Sequence, residues 1–145
     1  MSNTAQQQQH TAQILPTERV QALNTLIKAT QSLINLADRE AQALAQNDMV
    51  GFHIMQDEKQ YLTQRYERLS VEFRARIEEF RGSDRGLLDR LEKLQILLGE
   101  RTKNNSDVVV NIRDRAQQKT QNSLLTVQEL AQQKSVRFGA HTGQV

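Results

Sequence analysis

The sequence has no cysteine and no tryptophan, a single proline (Pro16) and only six glycines among its 145 residues. The absence of cysteine excludes disulfide bridges, thiolate zinc sites and thiol nucleophiles. Because proline and glycine are the residues that most often end helices, their scarcity permits long, uninterrupted helices. Aromatic residues make up 4% and apolar residues 37% of the chain, which is too little for a thick globular core but enough for a narrow seam between helices.

Long apolar runs and charge of one sign are also missing. No apolar stretch approaches the roughly 20 residues that a membrane span requires, and residues 1–13 lack the basic start and apolar core of a signal peptide. The 19 basic and 17 acidic residues leave a net charge of +2, and the two signs alternate, as in residues 72–81. Such mixing is typical of a solvated helix surface rather than of a face that follows phosphates. We therefore expect a cytoplasmic protein with no stable membrane insertion and no nucleic-acid partner.

Apolar residues at alternating spacings of three and four predict a first helix over residues 17–46. Its heptad seam consists of Val20, Leu23, Ile27, Thr30, Ile34, Ala37, Ala41 and Leu44. A second stripe beside this seam is formed by Leu26, Leu33 and Leu36. A helix with two adjacent apolar stripes can contact two partners, as in a helical bundle.

The second predicted helix covers residues 48–81, with Asp48 as its N-terminal cap. Its seam includes one charged residue, Lys59, whose amine is expected to reach solvent or an acid such as Glu40 on the facing helix. The two helices would each span roughly 45–50 Å at 1.5 Å per residue. Their similar lengths and tight connection predict an antiparallel hairpin.

A third helix is predicted after the break at Gly82-Ser83-Asp84. It opens with a leucine seam made of Leu87, Leu88, Leu91, Leu94 and Leu98. The polar residues 104–107 could bend or break it. A single helix over residues 84–132 would reach roughly 70 Å, about 20 Å more than the hairpin. Either the helix breaks near Asn105, or its last turns lack a partner in the same chain.

The pattern therefore predicts an all-α fold: a long antiparallel helical hairpin with a third long C-terminal helix, in a coiled-coil-like bundle. We divide it into a disordered Gln-rich tail over residues 1–15, a bundle over residues 16–112, and a C-terminal binding helix with a flexible tail over residues 113–145.

The sequence shows no arrangement of residues that would support catalysis. No histidine has a second ligand at metal-site spacing, and most acidic residues lie beside Arg or Lys at helical spacing. Neither a phosphate-binding glycine loop nor a nucleophile elbow occurs. We therefore expect no enzyme, no catalytic residue, no metal site and no cofactor.

The candidate binding residues lie near the C-terminus. Residues 113–123 contain one apolar side chain, Ala116, and a short apolar stripe then follows, made of Leu124, Leu125, Val127 and Leu130, with Val136 and Phe138 beyond it. Because short isolated helices are marginal in water, this stripe is expected to pair with an amphipathic helix of another protein. Two other outcomes stay open: the segment folds back on the bundle beyond a bend at Asn105, or it pairs with its own copy to form a homo-oligomer.

Several short motifs resemble the FlgN family of flagellar type III export chaperones. They are Glu40-Ala41-Gln42-Ala43-Leu44, then Asp48, then Glu58-Lys59 with Leu62, the pair Asn104-Asn105, and residues 137–144 with their aromatic–Gly…Gly ending. The resemblance covers residues 20–143. Phe138 stands where tyrosine is commoner in the family, and the long Gln-rich start is a second departure.

The resemblance implies a function as well as a fold. A protein of this family would bind the hook–filament junction proteins FlgK and FlgL in the cytoplasm, keep them unassembled and deliver them to the flagellar export apparatus, using its C-terminal region. The alternative that the residues themselves leave open is a self-associating structural coiled-coil scaffold.

Overall fold

The computed structural model describes the backbone of residues 12–142 and the side chains of residues 12–134. All regular elements in this part of the chain are helices: α1 (Arg19–Ala45), α2 (Met49–Ala75), the single turn α3 (Ile77–Phe80) and α4 (Arg85–Thr142). The all-α fold that the heptad pattern predicts is therefore confirmed. The boundary between two compact units lies within α4, between Asn105 and Ser106.

In the first unit, α1 and α2 pack together as the predicted antiparallel hairpin. Ion pairs join the helices at Arg39–Glu58 (2.8 Å) and Glu40–Lys59 (3.2 Å). Both apolar stripes of α1 are buried from Leu23 to Leu44, except for the partly exposed Ala41. α1 is therefore the central helix of the unit, as its double stripe predicts.

The hairpin turn is determined by local hydrogen bonds. The Asp48 N–H donates to the Ala43 carbonyl (2.8 Å) and the Asn47 N–H to the Leu44 carbonyl (3.1 Å), with Asn47 at a φ of 55°. This is a Schellman C-cap, in which asparagine tolerates the left-handed conformation. The Asp48 carboxylate then accepts from the Gly51 N–H at 2.9 Å, which confirms the predicted N-cap of α2. A Cβ at residue 51 would collide with that carboxylate in its capping position, so a larger residue there requires the Asp48 side chain to shift.

The first part of α4 packs along the hairpin and runs in the same direction as α1. Leu91 lies in the core with Leu23 and Leu69. Farther along α4, Gln95 Nε2 donates to the Tyr66 hydroxyl at 3.2 Å, and Arg101 pairs with an acid of α1 at 3.0 Å.

The possible helix break near Asn105 is not found, because α4 continues through this residue. Asn105 is only 7% exposed, and its Nδ2 donates to the Ala37 carbonyl of α1 at 2.8 Å. A polar residue in a helical seam thus satisfies its amide on the neighbouring helix instead of on its own backbone.

The second predicted helix is interrupted at Arg76, which divides residues 48–81 into α2 and α3. The φ of Arg76 is −107°, and its guanidinium donates to the carbonyls of Pro16 (2.7 Å) and Thr17 (2.8 Å) while pairing with Glu79 (2.9 Å). The guanidinium also lies 5.3 Å from the centre of the Phe80 ring. These contacts turn the chain so that the Phe80 ring is buried.

The N-terminal tail predicted over residues 1–15 requires a correction at its end. Leu15 is 3% exposed and belongs to the core, and the Glu72 carboxylate accepts the N–H groups of Ile14 and Leu15, each at 2.9 Å. Two adjacent apolar residues and a carboxylate that binds their backbone hold residues 12–15 against the hairpin. Residues 1–11 lie outside the described part of the chain.

Glu18 begins α1 by accepting the N–H groups of Gln21 (2.7 Å) and Val20 (3.0 Å). These two hydrogen bonds hold the pKa of the Glu18 carboxyl below its ordinary value, because they favour the charged form.

At the other end of the chain, the backbone of residues 135–142, which lies in the predicted flexible tail, continues α4 as helix. Gly139 is the one strong helix-weakening residue in this stretch, and a single glycine costs about 1 kcal/mol relative to alanine. Within the described residues, none of the helices has the length and apolarity that crossing a membrane requires.

Candidate functional site

The second unit presents the predicted binding residues on the surface of α4. Leu124, Leu125, Val127 and Leu130 are 58%, 56%, 63% and 56% exposed. Every described residue from Arg113 to Lys134 is exposed as well. Exposed apolar patches often mark interaction surfaces. Here four large apolar side chains lie within seven residues, and each is more than half exposed.

The helix brings three of these four side chains onto one face. At about 100° per residue, Leu124, Val127 and Leu130 lie within an arc of about 120°, whereas Leu125 lies about 100° beyond Leu124 on the other flank. The small residue Ala131 falls within the same arc. We call Leu124, Val127 and Leu130 the C-terminal stripe, and Leu125 is excluded from it by geometry.

The flank opposite Leu124 is polar, which makes this part of α4 amphipathic. Arg115, Asn122 and Thr126 project at about 160–200° from Leu124, and with Lys119 they line a shallow, open depression. A surface of this kind suits the face of another helix, since it offers an apolar stripe on an open surface, with Leu125 as the one large apolar residue on the reverse side.

Two further predicted site residues, Val136 and Phe138, belong to the helical backbone of α4, but their side chains lie outside the described residues. Their contribution to the site stays a prediction.

The structure places Lys59, the charged residue in the seam of α2, against a buried acid. The Glu40 carboxylate, with 3% of its side chain exposed, accepts from Lys59 Nζ (3.2 Å) and from Gln56 Nε2 (3.0 Å). Of the two alternatives for the lysine amine, the ion pair with Glu40 is therefore observed. Both donors are long side chains of α2 and the acceptor belongs to α1, so these contacts join the two helices of the hairpin.

Sequence reasoning missed a second exposed apolar stripe, on the outer side of α2. Val50, Ile54, Tyr61 and Val71 are 71%, 71%, 65% and 58% exposed. The sequence prediction for this helix followed the apolar seam that faces the hairpin, and the outer positions were therefore overlooked. The outer positions repeat at heptad spacing too, and that repeat is the signal by which they could have been found.

No group of three or more His, Asp or Glu side chains suited to holding a metal occurs among the residues that the structure describes.

No protein-family model matches the chain, and no curated protein or solved structure is significantly similar to it.

Proposed function

We propose that this protein is a cytoplasmic chaperone of flagellar export, which holds an amphipathic helix of its client on the C-terminal stripe. A client is here the exported protein that a chaperone keeps from assembling. The observation that carries the proposal is the exposure of Leu124, Val127 and Leu130 on one face of residues 113–134, where Leu125 is the one other large apolar side chain.

The physical argument begins with what the stripe gains when it is covered. Fully burying a leucine or valine side chain contributes about 1.5–3 kcal/mol. Leu124, Val127 and Leu130 already expose more than half of their surface, so a partner helix can recover most of this energy. A client helix with apolar residues at spacings of three and four provides the matching face. Exported subunits need such cover, since an amphipathic helix left in solution aggregates with its own kind.

The identity of the clients rests on the resemblance of the sequence motifs to the FlgN family. On that basis the clients are the hook–filament junction proteins FlgK and FlgL, and the protein delivers them to the flagellar export apparatus. The motif residues Glu40 and Lys59 form an ion pair across the hairpin, and Asp48 caps α2. In this chain, these motif residues therefore join the two helices of the hairpin and begin the second one.

The proposal is tested by substitutions that separate the C-terminal stripe from its flank. Val127→Asp places a charge in the centre of the stripe and is expected to weaken binding of FlgK or FlgL by at least about tenfold, which corresponds to about 1.4 kcal/mol. Leu125→Asp is the matched control, because Leu125 has similar exposure but lies outside the stripe. Binding is measured by calorimetry with the purified client. Equal loss of affinity in both variants, or in neither, would contradict the proposal.

The self-associating scaffold remains the second candidate function, since an exposed apolar stripe can also pair with its own copy. Sedimentation of the purified chain separates the two. A chaperone gives a small species of defined mass that takes up one client, whereas a scaffold gives assemblies whose mass continues to rise with concentration.

A further inference from the structure

The outer face of α2 carries an exposed heptad repeat along its whole length. Starting at Val50, steps of four and three lead through Ile54, Asp57, Tyr61, Gln64, Arg68, Val71 and Ala75. All eight residues are exposed, and the four large apolar ones are 58–71% accessible. We call this set the outer stripe. It lies on the side of α2 away from the hairpin seam, and it covers about 37 Å of helix.

The two charged positions of the outer stripe are placed symmetrically within it. Asp57 is the third of the eight residues and Arg68 the third from the end. Among the described residues neither takes part in an ion pair. Arg68 makes one exposed hydrogen bond, from Nη2 to the Ala12 carbonyl at 3.3 Å, which leaves its other donors available.

We propose that the outer stripe is a homodimer interface on which a second copy of this chain docks with its α2 antiparallel. In one register every position of the stripe has a partner of matching chemistry. Ile54 meets Val71 of the second copy, and Asp57 meets Arg68 of the second copy. Tyr61 meets Gln64 across the twofold axis, and the ends pair Val50 with Ala75. The twofold symmetry repeats each contact.

The edges of the interface agree with the same register. Flanking residues on one side bring Glu58 close to Arg65 of the second copy, and on the other side Gln60 close to Glu67. No pair of like charges arises at these four positions. A parallel arrangement would set Asp57 against Asp57 and Arg68 against Arg68, which is unfavourable at an interface. Charge therefore selects the antiparallel pairing.

The polar positions act on register more than on affinity. Covering Asp57 and Arg68 costs desolvation energy that their attraction largely offsets, so their effect is to exclude other registers. A shift by one heptad would bring Asp57 to Tyr61 or Ala75 and leave both charges unpaired. Because the interface is isologous, it closes as a pair and forms no filament.

The test uses charge reversal in the full-length protein. Asp57→Arg and Arg68→Asp are each expected to weaken dimerisation by at least about tenfold, because each puts like charges opposite one another. The double variant with both changes restores opposite charges in the antiparallel register and is expected to dimerise within about threefold of the native protein. Dimerisation is measured by sedimentation equilibrium over about 1–500 µM. Ile96→Asp, at an apolar residue of α4 that is 57% exposed, is the control and leaves dimerisation unchanged.

A cross-linking experiment checks the register independently, and the lack of native cysteine makes it specific. A mixture of the Ile54→Cys and Val71→Cys variants is expected to form a disulfide-linked dimer under mild oxidation. Either variant alone places its two cysteines about 25 Å apart along the helix and is expected not to cross-link. Circular dichroism of each variant verifies that the fold is retained.

The inference is overturned if the native chain is monomeric throughout the concentration range. It is also overturned if the double charge variant stays as weak as the single ones, or if the cross-link forms equally well in each single variant. Deletion of residues 2–11 identifies a different occupant. If the full chain is monomeric and the shortened chain dimerises through the same charges, then the chain's own N-terminal residues cover the stripe.

Discussion

Removing the amine of Lys59 should destabilise the hairpin, because it leaves the Glu40 carboxylate buried with one donor fewer. The perturbation is Lys59→Met, which keeps the length and apolar stem of the side chain. The Glu40 side chain is 3% exposed and accepts from two donors, Lys59 Nζ at 3.2 Å and Gln56 Nε2 at 3.0 Å. Gln56 alone would then remain to satisfy the carboxylate.

The magnitude follows from the burial of the two partners. Breaking a fully buried ion pair costs about 3–5 kcal/mol, but the Lys59 side chain is 37% exposed and the second donor stays in place. We therefore expect a loss of about 1–3 kcal/mol, the range for a buried polar group that loses a partner. For a unit of this size the melting temperature should fall by about 4–8 °C for each kcal/mol.

Urea unfolding followed by circular dichroism measures this loss. Lys93→Met, at an exposed lysine of α4, is the control and should stay within about 0.5 kcal/mol of the native protein. The double variant Glu40→Leu with Lys59→Met removes both charges and is expected to lie within about 1 kcal/mol of the native stability, since an apolar pair can replace a buried ion pair. The reasoning is refuted if Lys59→Met is neutral, or if the double variant is less stable than Lys59→Met alone.

Three further predictions concern the core, the N-terminal segment and the start of α1. Leu69→Ala, at a fully buried side chain, should cost about 2–5 kcal/mol in urea unfolding, and Leu62→Ala, at a half-buried one, distinctly less; equal losses would count against the burial pattern. Glu72→Ala removes the acceptor of two backbone N–H groups, so hydrogen exchange at Leu15 should accelerate, and unchanged protection would contradict the role of Glu72. The lowered pKa of the Glu18 carboxyl means that its cap is complete above the carboxyl's ordinary pKa and is lost as pH falls through the lowered one. NMR titration should find this pKa below the ordinary glutamate value.

Heptad spacing predicted the helices well because it reports directly on which side chains can be buried together. The two apolar stripes of α1 predicted a helix that contacts two partners. In the structure α1 contacts both α2 and α4. Asp48 predicted the start of α2, since a carboxylate at this position accepts the free N–H groups of a first turn.

The differences arise where a side chain interacts with backbone far away in the sequence. Arg76 interrupts the second helix through the carbonyls of Pro16 and Thr17, and Glu72 binds the backbone of Leu15. Such contacts leave no periodic signal. Asn105 was expected to weaken its helix, but it donates instead to Ala37, 68 residues earlier.

The candidate site could be predicted as a segment but not as a face. The sequence identified four apolar residues near residue 127, and the helix separates Leu125 from the other three, because adjacent residues on a helix point about 100° apart. The outer stripe of α2 was missed for a related reason. Its Asp57, Gln64 and Arg68 interrupt the apolar repeat. Their positions are explained only when a second copy is placed opposite them, as in the proposed dimer.

Truncation after Asn122 tests the central claim most directly, since it removes the C-terminal stripe and leaves the hairpin and the first part of α4 intact. The account predicts that residues 1–122 keep the melting temperature of the full chain but lose measurable binding to purified FlgK and FlgL. Full-strength binding by the truncated protein would contradict the account, because the client site would then lie elsewhere on the molecule.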